Sequence, residues 1–308
     1  MAVPAGSPTT VTSVAALVQT AYDQYVRMAL RSIPVMRAIA DVKPVQQAMP
    51  GSSVVFSIYS DLSAATSTLT ETADVSSIAL GNPSQVTVTL QEYGSAVTTT
   101  KKLNLTSFND VDAALADIIA YNAADSIDQV VAGVLTGGSN VIYAGTATNT
   151  NGITSGMTIS VADIREAVVQ LRTNKAVPRI GELYAAYLHP RQSADLRAES
   201  GTGGFQELTK YVERTPFVAG AVGVLEGAFI VETPRVPFAS NGTVNVYDAV
   251  IAGREALAEA MAQDISTVIG PEIDALRRFR TIGWYYFGGF SRLREAALYR
   301  IESATSIN

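Results

Sequence analysis

Residues 277–280 read Arg-Arg-Phe-Arg and form the most compact group of chemically capable side chains in the sequence. Guanidinium groups bind phosphates and carboxylates through paired, charge-assisted hydrogen bonds, so this run could contact either kind of group. It could also form a solvated face that Glu272 and Asp274 balance, and that interpretation is favoured for the run taken alone. Elsewhere, acidic residues are scattered, and no spacing singles out an acid/base couple.

Catalytic and metal-binding residues are scarce. The chain has one histidine, His189, and no cysteine, which excludes a two-histidine zinc site, a thiolate site and a cysteine nucleophile. His189 directly precedes Pro190 at the end of a predicted strand, a place that favours a structural role. The glycine-rich segments 201–204 and 220–227 lack the setting of a phosphate-binding loop, and we predict a flexible loop and tight turns there. The sequence therefore predicts no enzyme activity, no cofactor and no metal site.

The composition is unusually poor in charge. Of 308 residues, 47% are hydrophobic but only 16% are charged, where soluble domains average about 25%. No apolar stretch approaches the roughly 20 residues that span a bilayer, and the start of the chain does not resemble a signal peptide. The net charge of −6 argues against a protein devoted to binding nucleic acid. We expect a protein without membrane contact that covers apolar surface with copies of itself.

The first hundred residues hold only ten charges, whereas the last 54 hold thirteen. Apolar residues recur at spacings of three and four over 14–32, which predicts an amphipathic helix with Arg27 and Arg31 on its polar face and Pro34 after its end. This helix could be an arm laid across another surface or the ordinary first helix of a domain. The sequence leaves both interpretations open.

A long projection is predicted next. Residues 54–59 and 86–90 have strand character, and the Ser/Thr/Ala-rich segment 60–83 between them has too few large apolar residues to build a core. Since a long loop without structure is uncommon inside a compact domain, we expect a two-stranded extension that is buried against a neighbour.

Helices and strands alternate irregularly through the rest of the chain. A helix is predicted over 107–136, about 40 Å long, with one apolar stripe formed by Ile119, Ala123, Ile127, Val130 and Val134. A shorter helix follows the capping signature at 160–163. Strands are predicted at 183–188, 227–233, 244–252, 284–287 and 298–303, and Gly288 and Gly289 follow the fourth. This order favours an α+β fold over a regular βαβ repeat.

The tail carries the most specific pattern. It reads Ile-Asp-Ala-Leu at 273–276, Ile-Gly-Trp-Tyr-Tyr-Phe-Gly-Gly-Phe at 282–290 and Ala-Leu-Tyr-Arg-Ile-Glu-Ser-Ala at 297–304. This series resembles the D-P-L … G-W-K … R-I-E pattern of the N4-gp56-like branch of phage capsid proteins, with Ala275 replacing the proline and Tyr285 the lysine. The order of elements along nearly the whole chain resembles the HK97 fold of tailed-bacteriophage major capsid proteins.

The resemblance implies a division of the chain. It implies an N-terminal arm (1–50), an extended β-hairpin loop or E-loop (51–100), a peripheral domain with a long spine helix (101–159), an axial domain (160–255) and a return to the peripheral domain (256–308). It also implies a structural protein of the virion that is assembled in the host cytoplasm. Hexamers and pentamers of the subunit would form the icosahedral shell around a double-stranded DNA genome.

The partners implied are copies of the same chain, scaffolding and portal proteins, possible decoration proteins, and packaged DNA bound without sequence specificity. The candidate intersubunit contacts are charged residues of the arm, the loop and the tail: Arg27, Arg31, Glu71, Lys101, Lys102, Arg277, Arg278 and Arg280. An encapsulin-type nanocompartment shell of the same fold is the main alternative. An enzyme, or a surface adhesin with a Ser/Thr-rich β region, is the third.

Overall fold

The computed structural model describes residues 34–44, 53–59, 61–69, 71–72, 74–75, 77–106, 111–200, 221–272 and 274–307. The helix predicted over 14–32, with Arg27 and Arg31, lies outside these residues, as does the loop predicted at 201–204. No helix in the described ranges is long and apolar enough to span a membrane.

Four α-helices and thirteen strands occur in the described ranges. The helices are α1 (Lys101–Thr106), α2 (Val111–Thr136), α3 (Val161–Thr173) and α4 (Pro190–Ala198). The strands are β1 (Ala40–Pro44), β2 (Ser53–Ile58), β3 (Ser84–Thr89), β4 (Gln91–Thr100), β5 (Val141–Tyr143), β6 (Tyr184–Leu188), β7 (Ala221–Leu225), β8 (Ala228–Glu232), β9 (Phe238–Ser240), β10 (Asn245–Ala252), β11 (Leu257–Ile269), β12 (Phe279–Arg292) and β13 (Leu298–Ser303).

These strands form three sheets. One has the order β1-β11-β12-β4, in which only the β1 pairing is parallel. A seven-stranded sheet has the order β5-β13-β10-β6-β8-β7, with β9 paired to β10. Strands β2 and β3 pair only with each other, antiparallel, and form the predicted hairpin. The mixture of helices with largely antiparallel sheets confirms the α+β prediction.

Helix α2 connects the two large sheets. Its first half packs Ile119, Ala123 and Ile127 against the four-stranded sheet, where Trp284 and Tyr286 of β12 meet them. Its second half enters the main core beside the seven-stranded sheet through a second set of apolar side chains: Val131, Ala132 and Leu135. The helix has 26 residues and is about 39 Å long, which lets it contact both large sheets.

The local start and stop signals of other elements are confirmed. Ser160 and Asp163 form the reciprocal capping box of α3, whose apolar face joins the main core. Strand β6 is buried throughout and ends at His189, which begins α4. Helix α2 ends at Thr136, directly before the two glycines 137 and 138.

Three sequence predictions were wrong. The stripe on α2 passes through Val131 and Leu135, which are fully buried, whereas Val130 is half-buried. Residues 221–225 form strand β7, and only Glu226 and Gly227, both with positive φ, make the turn into β8. The strand predicted at 284–287 is much longer, and Gly288 and Gly289 lie inside it, in β12. Strands β1 and β11 were not predicted at all.

Gly289 shows why glycine is needed inside β12. A Cβ atom there would overlap the carbonyl oxygen of Thr89, at the end of β3. The hairpin can therefore reach the four-stranded sheet only where β12 has no side chain, which explains the position of this glycine better than a turn does.

Candidate functional site

A basic cluster lies where β4 passes into α1. The backbone N–H of Lys101 donates to the carbonyl of Arg278 at 2.8 Å, and Thr100 pairs with Phe279 at the start of β12. The fold therefore brings together five of the eight predicted contact residues: Lys101, Lys102, Arg277, Arg278 and Arg280. We call these five residues the basic cluster. All are exposed except Arg280, which is half-buried.

One part of the cluster is neutralised within the chain. The Nε atom of Arg278 lies 2.6 Å from Oδ2 of Asp274, an exposed pair in the turn that leads into β12. The solvated-face interpretation of the run is thus correct for this residue. By sequence the cluster still holds four further bases, Lys101, Lys102, Arg277 and Arg280.

A second surface is the segment beyond the hairpin, residues 59–83, which we call the acidic loop. Glu71 lies there, exposed in a short turn and far along the chain from the basic cluster. Large apolar side chains are also left in solvent, with Leu69 76% and Ile78 71% exposed. Several large apolar side chains exposed in one segment favour an interaction site there.

The base of the hairpin is fixed to the body. Val88 and Leu90 are buried against Ala258 and Ala260 of β11, and Phe56 packs on the same cluster. The two ends of the acidic loop are therefore attached to the four-stranded sheet, whereas its described side chains lie mostly in solvent.

The start of the described chain is anchored by a buried carboxylate. Asp128 of α2 is fully buried and accepts hydrogen bonds from the backbone N–H groups of Val35, Met36 and Arg37, at 3.3, 2.7 and 3.0 Å. Burial raises the pKa of Asp128, and the three hydrogen bonds oppose that rise. These bonds cap the short 3-10 helix Met36–Ile39 and fix it to the spine helix.

A second buried contact ties the same turn to the four-stranded sheet. Nη2 of Arg37 lies 2.6 Å from Oε1 of Glu259, a fully buried residue of β11 that also accepts from the Tyr286 hydroxyl at 2.9 Å. Burial alone would lower the pKa of Arg37, but the hydrogen bond and charge of Glu259 raise it. Breaking such a buried pair leaves an uncompensated charge, so the turn is firmly attached.

A third buried group joins β10 and β13. Asp248 lies directly opposite Glu302, and Oε1 of Glu302 lies 2.6 Å from Nη2 of Arg300. The other carboxylate oxygen of Glu302 has no hydrogen-bond partner among the described residues. Burial raises the pKa of Asp248 to about 6, Arg300 opposes that rise, and Glu302 adds to it. Two carboxylates thus lie near one guanidinium, which pairs with Glu302.

His189 has the structural role predicted for it. Its Nδ1 accepts from the backbone N–H of Arg191 at 3.2 Å, so the side chain caps α4, and its ring lies 4.6 Å from that of Tyr247. Burial lowers its pKa, and the charge of Arg191 lowers it further. Within the described ranges, no three His, Asp or Glu side chains are grouped as metal ligands.

The anchoring residues Arg37, Asp128 and Glu259 were missed by the sequence reasoning. A signal was present, since Asp128 interrupts the apolar pattern of a helix and Glu259 interrupts that of Leu257–Ile269. A charged residue at a position that the apolar pattern buries needs a hydrogen-bonding or oppositely charged partner. Arg37 is that partner for both acids, but it lies 91 residues from Asp128 and 222 residues from Glu259 in the sequence.

Comparison with known proteins identifies the family. A family model described as phage capsid protein matches residues 4–307. The fold is similar to the capsid of Ralstonia phage GP4, with a TM-score of 0.75, 16% identity, and coverage of 94% of this chain and 96% of that one.

The fold is also similar to the acid-stable capsid of Helicobacter pylori bacteriophage KHP30, with a TM-score of 0.75, 14% identity, and coverage of 97% of this chain and 99% of that one. The capsid of a native GTA particle is also similar, with a TM-score of 0.69, 16% identity, and coverage of 97% of this chain and 99% of that one. No curated protein sequence matches the chain. At these identities the similarity shows a common fold, the HK97-like α+β fold that the sequence predicts. With the match to nearly its full length, the chain belongs to the phage capsid protein family, as a structural component of the virion that associates with copies of itself and not as an enzyme.

Proposed function

We propose that the chain is the major capsid subunit of a tailed phage, which assembles as hexamers and pentamers into an icosahedral shell around double-stranded DNA. The observation that supports this most is the acidic loop. It is attached at its base to the four-stranded sheet but exposes Leu62, Leu69 and Ile78, which are apolar side chains that a neighbouring subunit would cover.

In this proposal the chain is divided as its sequence suggests. The arm is 1–50, the extended loop 51–100, the peripheral domain 101–159 with 256–308, and the axial domain 160–255. In this division α2 packs on both large sheets and can act as their common spine. Closed shells of this kind need heterologous contacts, in which unlike surfaces of neighbouring copies meet.

Further partners belong to the proposal. Scaffolding and portal proteins would guide assembly in the host cytoplasm, decoration proteins could bind the finished shell, and packaged DNA would touch its inner face without sequence readout. The tail pattern, with Trp284 in β12 and Arg300-Ile301-Glu302 in β13, supports the N4-gp56-like branch.

The test is to shorten the acidic loop. Deletion of residues 61–82 should leave a folded subunit, because none of the loop residues that the structure describes belongs to a buried cluster, yet should block or destabilise shells. Shell yield is measured by sedimentation and electron microscopy, and folding by circular dichroism. Normal shells from the deletion variant would contradict the role of the loop.

A substitution keeps the length of the loop and tests its apolar residues. The pair Leu69→Ser and Ile78→Ser should lower shell yield without changing the stability of the free subunit. Val169→Ser on α3, also exposed at 52%, is the matched control and should assemble normally.

A further inference from the structure

Two arginines hold the C-terminal end of α2. Nη1 of Arg300, on β13, donates to the carbonyl of Thr136. Nη1 of Arg292, on β12, donates to the carbonyl of Val134 at 3.1 Å. The last carbonyls of a helix have no partner within it and carry the negative end of its dipole. Since the last turn of α2 contains no base of its own, these two guanidinium groups supply the positive charge there.

Arg300 binds a buried carboxylate at the same time. Its Nη2 lies 2.6 Å from Oε1 of Glu302, and the two side chains are 19% and 3% exposed. Two polar atoms of this pair are left over, because Nε of Arg300 and Oε2 of Glu302 are buried without a hydrogen-bond partner among the described residues. A buried donor and a buried acceptor without partners are costly, so we expect a further group to complete them.

Asp248 lies directly beside this pair. It is opposite Glu302 in the β10–β13 ladder, which brings their Cβ atoms about 5 Å apart on one face of the sheet. Its half-buried carboxyl forms no hydrogen bond or ion pair with the residues that the structure describes. We call Asp248, Arg300 and Glu302 the buried charge cluster. With both acids ionised, this cluster has one negative charge in excess.

Few other charged or titratable groups face Asp248. The last two turns of α2, residues 129–136, contain no charged residue. The loop before β9 contributes the carbonyl of Pro237, which accepts from the Asp248 backbone N–H at 3.0 Å, and Arg235, which pairs with Asp125 of α2. The charge of Asp248 therefore depends mainly on its own cluster. The other titratable side chains on the adjoining elements are Tyr143 of β5 and Tyr187 of β6 on the same face, and His189 and Arg191 at the start of α4, which contact Tyr247 on the opposite face.

We infer that Asp248 and Glu302 hold one proton between them, and that this proton determines whether Arg300 binds the end of α2. When Asp248 is protonated, its O–H donates to Oε2 of Glu302 and completes the unpartnered acceptor. The buried charge cluster is then neutral, and Arg300 binds both Glu302 and Thr136, as the structure shows.

Loss of the proton to solvent changes the choice that Arg300 has. Asp248 then becomes a second charged acceptor near the unpartnered Nε of Arg300. Guanidinium bonds to a carboxylate are stronger than those to a neutral carbonyl, so Arg300 turns towards β10 and leaves Thr136. Because α2 packs on both large sheets, the proton then controls how firmly the helix is held to the seven-stranded sheet.

The pKa of Asp248 fits this role. Burial raises the pKa from 3.8 to about 6, Arg300 opposes the rise, and Glu302 adds to it. An acid with a raised folded-state pKa binds its proton more tightly in the folded state. The hold on α2 is therefore complete below pH 4 and is lost as the pH rises through about 6.

A proton fits the buried charge cluster better than a metal ion does. Calcium and magnesium take roughly six or more oxygen ligands. Here two carboxylates meet, one of them already bonded to a guanidinium, and no three acidic or histidine side chains are grouped as metal ligands in the described ranges. A proton needs only one pair of oxygens.

Hydrogen exchange of the free subunit, read by mass spectrometry, tests this control of α2. Between pH 5 and pH 8 we expect the protection factors of residues 133–136 to fall about tenfold in the wild type, the effect of losing one hydrogen bond to a charged group. Asp248→Asn places an amide that donates to Glu302 at every pH, so its protection factors should stay constant. The matched control is Asp117→Asn, an exposed position in the first half of α2, which should behave like the wild type.

Glu302→Gln gives a second readout. It removes the charge that opposes ionisation of Asp248, so the pH at which protection falls should move lower. Residues 118–124, in the first half of α2, should keep their protection in every variant.

Three results would contradict this control. Wild-type protection of residues 133–136 could be constant between pH 5 and pH 8, or could fall equally in Asp248→Asn, and either result would overturn the inference. Restoration of protection at pH 8 by millimolar calcium or magnesium, in the wild type but not in Asp248→Asn, would identify a metal site and overturn it too. Because the free subunit is measured, each of these results is separate from shell formation and leaves the proposed capsid function to its own test.

Discussion

Replacement of Asp248 by asparagine should stabilise the folded subunit at neutral pH. Asp248 on β10 faces Glu302 on β13, and the single guanidinium of Arg300 already pairs with Glu302. Directly opposite side chains in an antiparallel pair have Cβ atoms about 5 Å apart, so two ionised carboxylates repel each other here. Asparagine keeps the shape and removes one of the two charges.

The magnitude follows from the pKa of Asp248, which rises from 3.8 to about 6, first because of burial. At about 1.36 kcal/mol for each pKa unit, a fully sheltered group would lose about 3 kcal/mol of stability at pH 7. Because the Asp248 side chain is only half-buried, water screens part of this penalty. We therefore expect Asp248→Asn to raise the free energy of unfolding by about 1.5 kcal/mol at pH 7.

The sign of the pH dependence follows by linkage. An acid with a raised folded-state pKa binds its proton more tightly in the folded state, so its penalty is absent well below pH 4 and complete above pH 7. The advantage of Asp248→Asn should therefore fall by about half between pH 8 and pH 5, as the wild-type carboxyl takes up its proton.

Urea unfolding measures this effect through the single tryptophan. Trp284 is buried against α2, and its Nε1 donates to Asn122 Oδ1 at 2.9 Å, so its fluorescence reports loss of the core. The control is Asp117→Asn, an exposed position on α2 that should change stability by less than about 0.5 kcal/mol. An advantage that does not vary with pH, or a variant less stable than the wild type at pH 8, would refute the reasoning.

Two other substitutions test how the chain is held together. Asp128→Ala removes the acceptor of three backbone N–H groups and should lower the free energy of unfolding by about 3 kcal/mol. If it lowers that energy no more than Asp117→Ala does, the anchor is unimportant. Gly289→Ala forces a Cβ against the Thr89 carbonyl and should loosen the hairpin, measured by faster proteolysis, whereas Gly81→Ala, with open space around it, should behave like the wild type.

The elements with local signals could be predicted from the sequence. Ser160 and Asp163 cap α3 within four residues of chain, and the alternation in β2 and β3 is visible in each strand by itself. The exposed acidic loop was also predictable, because its segment has too few large apolar residues to build a core. These features depend on residues that are close together in the sequence, so the sequence alone reveals them.

The features that were missed depend on distant parts of the chain. Strand β11 is buried on both faces at its start and exposed at its end, so no single period describes it. The buried row of α2 continues from Ile127 at a spacing of four, to Val131, and not at a spacing of three, to Val130, and the apolar pattern of the sequence allows either spacing. Asp128 and Arg37 come together only through the three-dimensional fold, which no pattern near either residue reveals.

The basic cluster shows the same division. The run at 277–280 was visible, and so were Lys101 and Lys102, but their contact requires the pairing of β4 with β12.

Electron microscopy of the purified recombinant protein tests the central claim most directly. Under conditions that promote assembly, with rising protein concentration and varied salt, we expect closed shells whose reconstruction shows this fold in hexamers and pentamers. Only free monomers under every such condition, from protein that is folded by circular dichroism, would contradict the account.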